Sequence, residues 1–153
     1  TYALAKNVAK VNTTGGELDI QFQKDFKRMG TLYAGAGLLW LRSRSSDTIP
    51  SFYVSSHATF LNNFFVEYSH RFFFIGVSGI YKTRPAQSVQ AIHANLTEDY
   101  FVLNARMGPS LCNGRVKIYG QITNLFNVTY SDLLGSAMPG RWFTAGINYS
   151  LSK

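Results

Sequence analysis

Apolar residues recur along this chain with a period of two rather than 3.6. In Glu17–Gln23, Leu18, Ile20 and Phe22 alternate with Glu17, Asp19, Gln21 and Gln23. In Thr31–Arg42 one face carries Leu32, Ala34, Ala36, Leu38 and Trp40, the other Thr31, Tyr33, Gly35 and Gly37. His57–Tyr68 sets Ala58, Phe60, Phe64, Val66 and Tyr68, interrupted by Asn62, against His57, Thr59, Asn63 and Glu67, interrupted by Leu61 and Phe65. The pattern continues with Phe73, Ile75, Val77 and Tyr81, then with Phe101, Leu103, Ala105 and Met107. It closes with Val116, Ile118 and Ile122, and finally Phe143, Ala145, Ile147, Tyr149 and Leu151. Successive side chains of a strand point to opposite faces, so this spacing predicts strands with one apolar and one polar face. It gives about seven strands of roughly ten residues, the span of a tilted transmembrane strand and about twice a usual sandwich strand.

The apolar faces so written contain no Asp, Glu, Lys or Arg. Glu17, Asp19, Glu67, Lys82, Arg106 and Lys117 all fall on the other face. A basic side chain near the middle of a bilayer costs about 2–4 kcal/mol on a barrel's lipid face, which accounts for such a segregation. Ile20, Leu103 and Ile147 are therefore expected to face lipid, and Asp19, Asn104 and Gln121 a lumen. Aromatic residues gather at strand ends, as Trp40, Tyr68, Phe73, Tyr81, Phe101, Phe143 and Tyr149, where interfacial girdles belong. Short turns (Lys24–Gly30, Ser69–Arg71, Gly108–Gly114) alternate with long loops (Ser43–Ser56, Thr83–Asp99, Asn124–Gly140), the layout of an outer-membrane barrel. Pro50, Pro85, Pro109 and Pro139 are all expected in connections, because proline cannot donate to a ladder.

Composition narrows the alternatives. Of the 153 residues, 46% are hydrophobic and only 15% charged, which excludes disorder. Mean hydropathy is −0.05, and no apolar run approaches the roughly 18 residues of a spanning helix. The formal charge of +7 lies mostly between strands, without the aromatic-interleaved motif of a nucleic-acid surface. Cys112 is the only cysteine, so no intrachain disulfide or zinc cluster is built on it. His57, His70 and His93 match no ligand spacing, and no metal or cofactor is expected. No nucleophile-elbow pattern occurs, and no enzymatic reaction is expected. The chain opens at Thr1 without a basic or apolar leader, as at a mature terminus or inside a larger protein.

The C-terminal stretch is the most specific. Asn124-Leu125-Phe126-Asn127-Val128-Thr129-Tyr130 is followed by Gly135, then Met138-Pro139-Gly140-Arg141-Trp142-Phe143, Gly146 and Tyr149. This resembles the C-terminal end of TonB-dependent outer-membrane receptors: an Asn-Leu-Phe-(Asp/Asn)-x-x-Tyr segment, a loop ending Pro-Gly-Arg, and a last strand with Gly and Tyr. Upstream, Asn7 to Leu18, with Thr14-Gly15-Gly16-Glu17-Leu18, is similar to the family's strand beginning, as is Tyr100-Phe101-Val102-Leu103-Asn104. Thr144, Gly146, Tyr149 and Leu151 resemble the signal read by the barrel-assembly machinery, although Leu151 stands where the family has an aromatic.

The resemblance implies a transmembrane antiparallel β-barrel of about 22 strands, of which this chain supplies about the last third. The N-terminal plug and its TonB-box peptide are not in this chain, and the earlier strands are expected on the remainder of the receptor or on a separate chain. It further implies a bacterial outer-membrane location, lipid and lipopolysaccharide as surroundings, the TonB complex as a partner through the plug, and a surface lipoprotein as a further partner. The cargo class is a scarce nutrient such as vitamin B12, an iron-siderophore or haem. Phe52, Tyr53, Tyr130 and Arg141 are the candidates for ligand contact from the loops, while Tyr130 and Arg141 also belong to the structural motif. The alternative is a small passive or structural outer-membrane barrel, or an adhesin, closed by oligomerisation.

Overall fold

The structure is a computed structural model that describes residues 11–45, 57–84, 87–89, 94–133 and 136–151. Seven long strands form one antiparallel sheet: β1 (Val11–Asp25), β2 (Thr31–Ser45), β3 (Phe60–Ser69), β4 (Phe73–Thr83), β7 (Asp99–Leu111), β8 (Val116–Thr123) and β11 (Trp142–Tyr149). They lie in chain order, each beside its predecessor, as a meander. Two small hairpins decorate the long connections: β5 (Gln87–Val89) with β6 (Ala94–Leu96), and β9 (Ser131–Leu133) with β10 (Ser136–Ala137). Among the described residues, β1 and β11 each leave one edge unpaired.

Register decides which side chains share a face, and it joins the alternating sets into one. Ile20 pairs with Ala36, Ala36 with Phe64, Phe64 with Gly79, and Gly79 with Leu103. Further along, Val66 pairs with Val77, Val77 with Ala105, Ala105 with Ile122, and Ile122 with Phe143. Because each pair lies on the same side of the pleat, the apolar face is continuous across all seven strands. Much of it is bare: Ile20 is 56% exposed, Phe143 71% and Ile147 72%.

The ends of this face differ from the sequence expectation. β1 and β2 extend past the predicted limits, and Arg42 and Arg44 continue the row of Leu38 and Trp40, opposite Thr14 and Asn12. Lys24 ends the same face at the other extreme, opposite Leu32. The charge-free region is thus a band with charged margins rather than the whole face, since Asp99 of β7, paired with Thr83, joins Arg42 and Arg44 at the long-loop end. β3 begins at Phe60 and not at His57, and Leu151 lies beyond the last strand.

Pro109 corrects a second expectation, since it lies inside β7, paired with Phe73 of β4. The amide of Ser110 donates to the carbonyl of Phe72, so the proline nitrogen points the other way, toward β8. The β7–β8 ladder lapses there, between the Met107–Gly120 and Ser110–Lys117 pairs, without shifting register. Gly108 makes this tolerable: a Cβ on it would collide with the Ile118 carbonyl, so only glycine permits the approach. The turn after β7 shrinks to Cys112–Arg115, where Cys112, Asn113 and Gly114 adopt φ of 52°, 56° and 88°. The other tight connections are residues 26–30, with Gly30 at φ 110°, and residues 70–72. All three open one end of the sheet, and the long connections open the other.

Candidate functional site

The polar face carries few but connected groups. Glu67, Gly76 and Arg106 are consecutive cross-strand partners on β3, β4 and β7. Gly76 has no side chain to intervene, and the Arg106 guanidinium bridges over it to the Glu67 carboxylate. Tyr33 donates to Gln21 Oε1 at 3.2 Å and its ring packs at 4.8 Å on Phe65. Ser78, Asn104 and Gln121 line the same shallow cleft. It is a mixed wall of amides, one ion pair and aromatic rings.

At the long-loop end two connections are fastened together by a cluster that no sequence motif announces. Arg84 follows β4 directly and is 2% exposed. Its Nε donates to the Thr97 carbonyl at 2.9 Å, one Nη to the Ser131 carbonyl at 2.7 Å, and the other to the Asp132 carbonyl and carboxylate, each at 3.2 Å. Lys82 donates to the same carboxylate oxygen at 2.6 Å and Tyr100 at 3.0 Å. The backbone completes the join: the Ser131 amide donates to Thr97 Oγ1 at 2.8 Å. A buried guanidinium needs its donors satisfied, and this fork does so with one carboxylate and three carbonyls. Burial pushes the Asp132 carboxyl up, but Lys82, Tyr100 and Arg84 outweigh it and hold the group below the ordinary carboxylate range. Burial and the neighbouring Asp132 charge raise the Tyr130 phenol.

The C-terminal motif folds into a second knot. Asn124 is 1% exposed and sits at φ 55°, a conformation asparagine tolerates better than most residues. Its Nδ2 donates to the carbonyls of Val128 (2.8 Å) and Pro139 (3.3 Å), and its Oδ1 accepts from the Val128 amide at 2.9 Å. Its own amide donates to Asn104 Oδ1 at 3.0 Å, tying the motif to β7. Asn127 Oδ1 accepts the Arg141 amide at 2.8 Å, and a Cβ on Gly140 would press on that oxygen at 2.8 Å. The Leu125 amide donates to the Leu103 carbonyl at 2.7 Å, and Phe126 packs 6.3 Å from Phe101. The motif therefore closes the last loop onto the sheet.

The predicted ligand contacts divide accordingly. Tyr130 packs against Tyr100, ring centroids 4.4 Å apart and planes tilted by 32°, inside the clasp. Arg141 reaches the Leu125 carbonyl at 3.4 Å within the knot. Phe52, Tyr53 and Gly135 lie outside the described residues, as does His93. In β11, Thr144 pairs with Gln121 and Gly146 with Tyr119, whose ring occupies the space a Cβ at Gly146 would need. Tyr149 pairs with Val116 on the apolar face. His70 packs against Phe72 and Phe73 at 5.4 and 5.3 Å. Among the described residues no group of His, Cys, Asp or Glu is arranged to hold a metal. Arg84 and Asp132 went unforeseen because 48 positions separate them. The available signal was parity, since Lys82 and Arg84 continue the polar-face row of β4.

No family model matches the chain, and neither a characterised protein nor a solved structure matches it.

Proposed function

We propose that this chain is the C-terminal part of the barrel wall of a TonB-dependent receptor in a bacterial outer membrane. Such a receptor catalyses no reaction; it binds a scarce nutrient, of the vitamin B12, iron-siderophore or haem class, and imports it with TonB-supplied energy. The observation that carries the reading is the continuous, exposed, apolar face with charged margins, backed by a polar face across the same seven strands. In water a patch of this extent is a liability, whereas in a bilayer it is the required surface. The Asn124 knot and the Pro139-Gly140-Arg141 loop end support the family assignment.

The unpaired edges of β1 and β11 have to be satisfied, because an open edge in hydrocarbon leaves every amide without a partner. β1 has 15 residues and β11 has 8, so joining β11 of one copy to β1 of another leaves nearly half of β1 without a ladder partner. Further strands of a larger receptor fit those edges better than self-closure does.

The test is mass spectrometry of the protein purified from its native membrane in mild detergent. The expected result is this sequence within, or tightly bound to, a larger polypeptide carrying the plug and the earlier strands. A protease-resistant assembly made only of copies of this chain overturns the receptor reading in favour of a small oligomeric barrel.

A further inference from the structure

The tight-turn end of the sheet carries apolar side chains where short turns in water are ordinarily polar. Phe26 is 43% exposed, Met29 68% and Phe72 61%. Cations stand among them: Lys27 and Arg28 separate Phe26 from Met29, and the Arg71 guanidinium lies over the Phe72 ring at 4.5 Å. Lys24 and Arg115 flank the same end, both exposed. The one acid there, Asp25, is occupied in accepting the Lys27 amide at 2.8 Å. Just inside this basic rim the apolar face ends in Phe22, Tyr68 and Phe73, the last two with rings 6.0 Å apart.

Exposed apolar tips interleaved with cations suit the boundary between acyl chains and anionic headgroups. There the rings and the Met29 thioether enter the hydrocarbon margin, and the cations meet phosphate. We propose that the three tight turns form a binding rim for anionic phospholipid headgroups in the leaflet at that end of the barrel, with Lys27, Arg28 and Arg71 as its phosphate contacts. This rests on the membrane reading above and adds a lipid preference and a location to it. A wholly water-exposed rim accounts for the cations but not for bare Phe72 and Met29, and a purely apolar anchor does not account for five cations against one acid.

The experiment reconstitutes the purified protein, with every chain that accompanies it, into phosphatidylcholine vesicles containing trace spin-labelled lipid. The motionally restricted fraction is measured for a phosphatidylglycerol label and for a phosphatidylcholine label. The expected result is a preference for the anionic label on the order of threefold or more at low salt. It should shrink as salt screens the rim. It should be lost in the Lys27→Gln/Arg28→Gln/Arg71→Gln variant and largely kept in Arg42→Gln/Arg44→Gln, which alters the opposite margin. Equal restriction of both labels overturns the rim while leaving the lipid-facing band intact, and makes an acidic protein surface the better occupant. A preference that survives the triple variant, or that vanishes only with Arg42 and Arg44, also overturns it. Absence of any restricted lipid overturns the rim together with the membrane reading. The salt titration needs no variant, so the rim stays testable if the triple variant assembles poorly.

Discussion

Arginine in place of Val77 puts a charge at the centre of the apolar band. Val77 lies on β4 midway between Phe73 and Tyr81, the aromatic residues that end the band on that strand. At about 3.4 Å per residue and a tilt near 45°, it sits roughly 10 Å in depth from either aromatic level. Its cross-strand neighbours are Val66 and Ala105, so no counter-charge stands beside it. Snorkelling recovers part of the cost, and about 2–4 kcal/mol is expected to remain. That is roughly 30- to 900-fold in the folding equilibrium. Ser78→Arg, one residue along, is the control. It points to the polar face, pairs with Phe65 and Asn104, and shares a cleft with Glu67. Its expected change is within about 0.5–1 kcal/mol. The assay is heat-modifiable gel mobility together with the urea midpoint in lipid vesicles. If both variants assemble and unfold alike, or Val77→Arg is the better tolerated, the assignment of the apolar face to lipid is refuted.

Asn124→Ala should destabilise the protein by about 2–4 kcal/mol, because it removes the partners of the Val128 amide and carbonyl and of the Pro139 carbonyl, and with them a residue suited to positive φ; a urea midpoint measures it. The clasp should be acid-sensitive. The folded Asp132 carboxyl is depressed, so its contribution is present above the unfolded value of about 4 and is lost as pH falls through the lower folded value. Proteolytic cleavage of the two clasped loops should therefore rise only in that acidic window, and Asp132→Asn should abolish the pH step. The short turns of an outer-membrane barrel face the periplasm, and Cys112 in the β7–β8 turn is exposed, so a bulky membrane-impermeant maleimide should label it only after the outer membrane is opened; labelling in intact cells would place the tight turns outside the cell. Gly146→Val should slow assembly more than Gly120→Val, since a side chain at 146 meets the Tyr119 hydroxyl at 2.6 Å while none lies within 4 Å at 120; the rate of appearance of the folded gel band reads it out.

What was legible in the sequence follows from the period of the strand. Alternation depends only on neighbouring residues, so seven strands, their order of short and long connections and the two faces could be read from Leu18–Ile20–Phe22 or Ile147–Tyr149 directly. Limits were less secure, because a strand continues for as long as its partner does. β1 and β2 support each other out to Val11 and Ser45, well beyond the apolar alternation, and this carries Arg42 and Arg44 onto a face that reads as charge-free over its apolar run. Intrinsic preference puts Pro109 in a turn, but its nitrogen faces the point where the β7–β8 ladder lapses, beside the close backbone approach that Gly108 permits, a compensation visible only once β8 is alongside.

The site divides in the same way. Asn124 and Asn127 at one end, and Pro139, Gly140 and Arg141 at the other, belong to the single connection between β8 and β11, so their closeness follows from where that connection leaves and rejoins the sheet. The clasp of Lys82, Arg84, Tyr100 and Asp132 lies in no single connection, because it needs the register of β4 on β7 and the return of the last long loop over both. Sequence alone determined which residues share a face. Only the tertiary structure decided which loops are fastened to which, because a buried guanidinium takes its partners from whatever backbone the fold brings within 3 Å or so.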